Sequence, residues 1–265
     1  MPGPLLTVYK DGFMFPKTKQ IVLGLFLSAS VLVAGACSHK PYLSNAKDAG
    51  AAYEECHKLS ESDDYDKANE CFEVLKSRFP SSEFSYLADI DVGDNYFRKG
   101  DYLPAAETYM AFAKLHPTHD KVGYAYYKTG LCYLRENPKS IDRDQKYLET
   151  SLQYFELALP RVSGDLKEAV REKWSEARLR IARRHFYIGR FYHRTGEYLA
   201  AIPRFQEIVT NYTGLGLDEK SLYLLGDSYV RLGQKERALD ILSVFEQHFP
   251  QSKYRQKLSG RLSVK

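Results

Sequence analysis

The chain has 265 residues, enough for one domain or one repeat array, and 44% of them are hydrophobic, which supports a core and excludes wholesale disorder. The net charge of +4 hides an acidic front, nine Lys/Arg against sixteen Asp/Glu from Cys37 to Asp120, and a basic back, twenty-six against seventeen from Lys121 to Lys265. That asymmetry points to two different partner surfaces.

Lys17 and Lys19 precede the apolar run Ile21–Val33, and Ala34-Gly35-Ala36-Cys37 follows. A basic start, a short apolar run and small residues describe a secretory signal peptide over residues 1–36. The run is too short for a stable membrane span. Cys37 directly after Gly-Ala resembles a lipobox, with Cys37 acylated as the new N-terminus, although Ala34 stands where Leu is usual. Met1–Phe13 adds nothing to such a signal, so translation is expected to start at Met14. Ser38 favours delivery to the outer membrane, where an Asp would favour the inner one. Residues 37–46 read as a lipidated end and tether.

From Ala46 onward the chain repeats. A small residue is followed three places later by a large one at Cys56/Leu59, Gly93/Tyr96, Gly130/Tyr133, Gly189/Tyr192 and Gly226/Tyr229. The steps are 37, 37, 59 and 37, the third being 37 with 22 inserted. In register run Tyr65-x-x-Ala68, Tyr102-x-x-Ala105, Tyr198-x-x-Ala201 and Lys235-x-x-Ala238, and the units close at Phe79-Pro80, His116-Pro117, Tyr212-Thr213 and Phe249-Pro250. This is a tetratricopeptide pattern. Gly lets helix A approach helix B, with the Ala opposite it. The aromatic of helix B (Phe72, Tyr109, Phe205) fills the gap to the next helix, and Pro ends the pair. The 21 Tyr and 14 Phe suit this thin stack, because a tyrosine buries its ring while its hydroxyl reaches water or a partner.

The sequence therefore predicts an all-α, tetratricopeptide-like α-solenoid of five helix pairs behind a lipoprotein signal peptide. The repeats fall at about 47–83, 84–120, 121–164, 165–216 and 217–254, with a basic tail over 255–265. Unit three has helix A near Val122–Arg135, a polar loop Glu136–Asp144 and helix B near Lys146–Leu159, without Tyr-x-x-Ala. Unit four opens on a long helix near Lys167–Thr195, ended by Gly196.

After lipidation Cys56, Cys71 and Cys132 remain, an odd number that permits one disulfide at most. Cys56 and Cys71 lie on the two helices of unit one and could face each other. Cys56 also occupies the small packing position, where a buried thiol fits equally well. Cys132 is expected in the core. His116-x-x-His119 flanks a helix-ending Pro and lacks a nearby Cys or carboxylate pair, so no metal is expected. No catalytic triad order, phosphate loop or paired-carboxylate motif occurs, so neither enzyme activity nor a cofactor is expected.

Five such pairs behind a lipobox resemble the BamD/ComL family of outer-membrane β-barrel assembly lipoproteins. Leu115-His116-Pro117-Thr118-His119 after unit two and Asp142-Arg143-Asp144 in the unit-three loop carry the resemblance further, over roughly Ala46–Tyr254. It implies a scaffold on the outer membrane, lipid-anchored and facing the periplasm. Its partners would be a BamA-type insertase with POTRA repeats, unfolded outer-membrane proteins and, where present, accessory lipoproteins. Nucleic acid does not suit a secreted protein.

In such repeats helix A lines the groove. The groove of units one to three is expected to include Tyr53, His57, Asp94, Phe97, Tyr124, Tyr127 and Leu131, an aromatic surface with few cations that suits an extended peptide. It lacks the Lys and Asn set that clamps a terminal carboxylate. Arg161 to Arg194 holds ten Lys/Arg against four Asp/Glu, with Trp174, Phe186 and Tyr187 interleaved. Arginine forks pair with carboxylates, so an acidic partner is expected here, with Arg190 and Arg194 in contact. Arg204 matches a position where the family carries an arginine facing the insertase. A pilotin for secretin or pilus assembly, or a repeat protein of cell-wall or division machinery, stands as the alternative.

Overall fold

The computed structural model describes residues 42–263, which hold eleven α-helices and no strand. Cys37, the signal peptide and Met14 lie outside the described residues. The helices pair in chain order: α1 (Ala49–Glu61) with α2 (Tyr65–Arg78), α3 (Glu83–Lys99) with α4 (Tyr102–Leu115), α5 (Val122–Glu136) with α6 (Lys146–Ala158), α7 (Gly164–Thr195) with α8 (Tyr198–Asn211), and α9 (Asp218–Arg231) with α10 (Lys235–His248). A further helix, α11 (Lys253–Ser263), follows. Each helix packs on the next, and successive cores form along the stack, as expected of a solenoid.

Local chemistry sets the boundaries. Asp48 caps α1 by accepting from the Ala51 amide at 2.8 Å, and Ser82 caps α3 by accepting from the Ser85 amide at 3.1 Å. Gly100 and Gly196, at φ of 90° and 85°, end α3 and α7 in the left-handed region. None of the described helices is long and apolar enough to cross a membrane.

The repeated glycine is the packing key. A methyl group on Gly93 would lie 2.7 Å from the Tyr109 ring; on Gly130, 2.6 Å from Phe155; on Gly189, 2.9 Å from Phe205. The helix-B ring thus sits on the glycine. The alanines of the same helices, Ala68, Ala105, Ala201 and Ala238, are all fully buried. Unit three keeps the same joint without the motif. Ser151 donates to the Gly130 carbonyl at 2.8 Å, and Phe155 covers the glycine.

In unit five the ring is replaced by Leu258, fully buried and 2.7 Å from where a Gly226 methyl would be. Leu258 belongs to α11, so the stretch read as a basic tail is a helix that packs on α9 and α10. Its lysines and arginines mask one apolar stripe, Leu258 and Leu262, which covers the open end of the stack. At the other end the described part of the tether is docked. Leu43 is fully buried, and Arg78 donates to the carbonyls of Leu43 at 2.6 Å and Ala46 at 3.2 Å. A disulfide joins Cys56 of α1 to Cys71 of α2, so the small position of unit one is a covalent joint. Cys132 is a buried free thiol.

Candidate functional site

The first helices of units one to three carry a connected polar and aromatic face. Tyr53 on α1 donates to Asp91 on α3 at 2.5 Å, and its ring tilts against Phe72 and Phe84 at 5.8 and 5.4 Å. Burial, then the Asp91 contact, pushes the Tyr53 hydroxyl far above its ordinary range. Burial also raises the Asp91 carboxyl. His57 lies 5.8 Å from the Tyr53 ring and 3.6 Å from Glu61.

Asp94 is the hub of the next joint. Its carboxylate accepts from Tyr109 at 2.5 Å and from Tyr124 at 2.9 Å, and Lys128 stands 2.7 Å away. The same Lys128 ammonium sits 4.0 Å from the Phe97 ring centroid. Tyr127 packs near Phe155 at 6.1 Å, and Leu131 joins the core of units three and four. The structure thus brings Asp94, Phe97 and Tyr124 together, with Tyr53 and His57 one joint earlier. Tyr127 and Leu131 stand at the next joint. Several of the rings brace neighbouring helices as well as facing outward.

Lys128 escaped the sequence reading, which expected few cations here. The signal was in the register: 37 residues before it stands Asp91, and one helical turn before it stands Tyr124. His116 and His119 both pack on Phe112, at 5.3 and 5.2 Å, and on Tyr86. Among the described residues no group of three His, Cys, Asp or Glu is placed to hold a metal.

The second surface is α7 with α8. Arg183, Tyr187, Arg190, Phe191 and Arg194 recur at helical spacing and are all exposed, so they form one stripe. Tyr187 and Phe191 are each 50% exposed, and Leu199 at the start of α8 is 70% exposed. Arg190 leans over Phe186 at 5.8 Å. Arg204 is half-buried in a groove of about 460 Å³ between the two helices, with His185, Tyr192 and Glu207. Gly189 allows that closeness: a methyl there would lie 3.2 Å from the Arg204 Cβ. Arg190 and Arg194 are thus on the open stripe, and Arg204 beside it in the groove. Phe191 and Leu199 were missed, because an aromatic or leucine in a helix reads as core until burial is known.

Behind this surface Asp227 of α9, 3% exposed, receives His193 of α7 at 2.9 Å, Arg261 of α11 at 3.3 Å and Arg231 at 3.7 Å. Burial works to raise its pKa, but His193 and the two guanidiniums outweigh it and hold the carboxyl below the usual range.

Stacked helix pairs with exposed charged and aromatic faces define a helical-repeat protein. The YfiO family, described as outer membrane lipoprotein, matches residues 45–241, and the chain belongs to that family. Among curated relatives, the outer membrane protein assembly factor BamD of Neisseria meningitidis serogroup A is 27% identical over 88% of this chain and 91% of its own. The protein of the same name from Rickettsia prowazekii is 28% identical over 84% and 89%. A solved structure, the TPR2AB-domain:pHSP90-complex of yeast Sti1, is 13% identical over 82% and 83% with a TM-score of 0.39, a likeness too loose to carry an argument.

Proposed function

We propose that the chain is a non-enzymatic, lipid-anchored assembly factor of the outer membrane, joining a POTRA-bearing insertase of the BamA type to unfolded outer-membrane proteins. The observation that carries this reading is the exposed stripe Arg183, Tyr187, Arg190, Phe191 and Arg194 on α7. Alternating arginine forks and half-exposed rings suit a docked acidic protein surface, since arginine and aromatics are the side chains that dominate interface energetics. Cys37 is the lipid attachment point. The face built on Tyr53, His57, Asp94, Phe97, Tyr124, Tyr127 and Leu131 receives the extended substrate.

Binding of the insertase's periplasmic repeats to the mature chain, measured by interferometry, tests the division of labour. Arg190→Glu with Arg194→Glu, and separately Arg204→Glu, are expected to weaken binding at least about tenfold with helical content unchanged. Phe97→Ala is expected to leave insertase binding intact and reduce capture of unfolded barrel peptides. Wild-type insertase binding by both arginine variants would sink the assignment.

A further inference from the structure

A second basic site lies apart from the α7/α8 groove. Where α5 and α7 diverge, the long loop between α5 and α6 forms one wall of a cleft of about 570 Å³. Its floor is apolar, with Leu131, Leu134, Ile141 and Leu179. Around it stand five cations, Arg135, Lys139, Lys173, Arg180 and Arg183, against one carboxylate, Glu176. Lys173 is already held by Glu172 and Glu176, at 3.0 and 3.1 Å. Arg135, Lys139 and Arg183 carry no ion pair among the described residues. The loop's acids, Glu136, Asp142 and Asp144, do not line the cleft.

The wall is built in advance. Asn137 and Gln145, each 3% exposed, bond to each other at 2.7 Å. Gln145 donates to the carbonyls of Pro138 at 3.0 Å and Ser140 at 2.9 Å, and Arg180 donates to Pro138 from α7 at 3.2 Å. Buried amides braced this way fix the loop without a ligand. Asn137 Oδ1 is the acceptor of that network left without a donor.

We propose that this cleft is a docking site for an extended polypeptide segment that alternates acidic and aliphatic residues. Its carboxylates pair with Arg135, Lys139 and Arg183, and its aliphatic side chains lie on Leu131 and Leu179. A phosphate group offers only acceptors and no apolar surface. A peptide offers carboxylates, aliphatic side chains and backbone N–H donors, which is the complement of what the cleft presents. The site differs in place from the Arg204 groove and shares only Arg183 with the exposed stripe of α7, so it does not depend on the insertase reading.

The test uses the mature chain and a fluorescent ten-residue peptide of alternating Glu and Val, read by anisotropy. A Gln/Val peptide of the same length is the control. The acidic peptide is expected to bind at least about tenfold more tightly than the control, and K139E with R183E is expected to remove that difference. R204E is expected to leave it unchanged. Both substituted side chains of the double variant are exposed, and circular dichroism checks that it is folded. Equal binding of the two peptides, an unaltered preference in K139E/R183E, or displacement of the acidic peptide by inorganic phosphate at matched ionic strength would overturn the proposal.

Discussion

Lys128 of α5 places its ammonium 2.7 Å from the Asp94 carboxylate of α3, and both side chains are mostly buried, at 13% and 15% exposure. Two tyrosine hydroxyls, from Tyr109 and Tyr124, complete the shell of the carboxylate. Units two and three are therefore joined by a charge pair, while the glycine joints hold together the two helices within each unit. Removing one partner leaves the other charge short of its counter-ion in a poorly solvated place. Lys128→Met is expected to lower the unfolding free energy by about 1–3 kcal/mol, read from urea unfolding followed by circular dichroism. An unchanged midpoint would show that the tyrosines alone satisfy Asp94.

The Cys56–Cys71 disulfide closes a sequence separation of 15 residues. Chain-entropy reasoning assigns a loop of that size roughly 3 kcal/mol. Reductant is expected to lower the melting temperature of the wild type and to leave a Cys56→Ser, Cys71→Ser double variant unaffected. Burial pushes the Cys132 thiol up to about 12, so iodoacetamide is expected to label it only in the unfolded protein.

Asp227 gives the fold an acid limit. Its folded pKa lies below the ordinary 3.8, so its contribution is fully present above that value. The contribution is lost as pH falls through the folded-state pKa. Asp227→Asn is expected to cost about 1–3 kcal/mol at neutral pH, and the gap to wild type is expected to shrink below 3.8. A gap that does not change with pH would remove the charge of Asp227 from the account. The α11 cap should loosen first, because Arg261 ties it to this carboxylate.

The repeat was legible because glycine alone lacks a Cβ and so lets a side chain of another helix lie within 3 Å of where that atom would stand, and it returns at Gly93, Gly130, Gly189 and Gly226. Unit three was legible in outline only. Leu148 and Ser151 stand there in place of Tyr102 and Ala105, and the motif disappears although the packing does not. The α11 cap was hidden for a related reason. The landmarks stop at Phe249-Pro250, and four cations surround Leu258, which gains its meaning only from the empty place on Gly226. On the two candidate faces, the residues named from the sequence lie on the helices that the repeat pattern predicts. The sequence could not show that Asp94 is occupied by Lys128, or that Phe191 and Leu199 face solvent, because both depend on where the neighbouring helix lies.

In the function proposed above, this chain works by holding a barrel insertase. Co-purification tests it most directly: tag the C-terminus, solubilise the outer membrane in mild detergent and identify what accompanies the protein by mass spectrometry. A large barrel protein with periplasmic repeats is expected at a near-equal amount, lost when Arg190 and Arg194 are both changed to Glu. A secretin, a division protein, or no stoichiometric partner would contradict it.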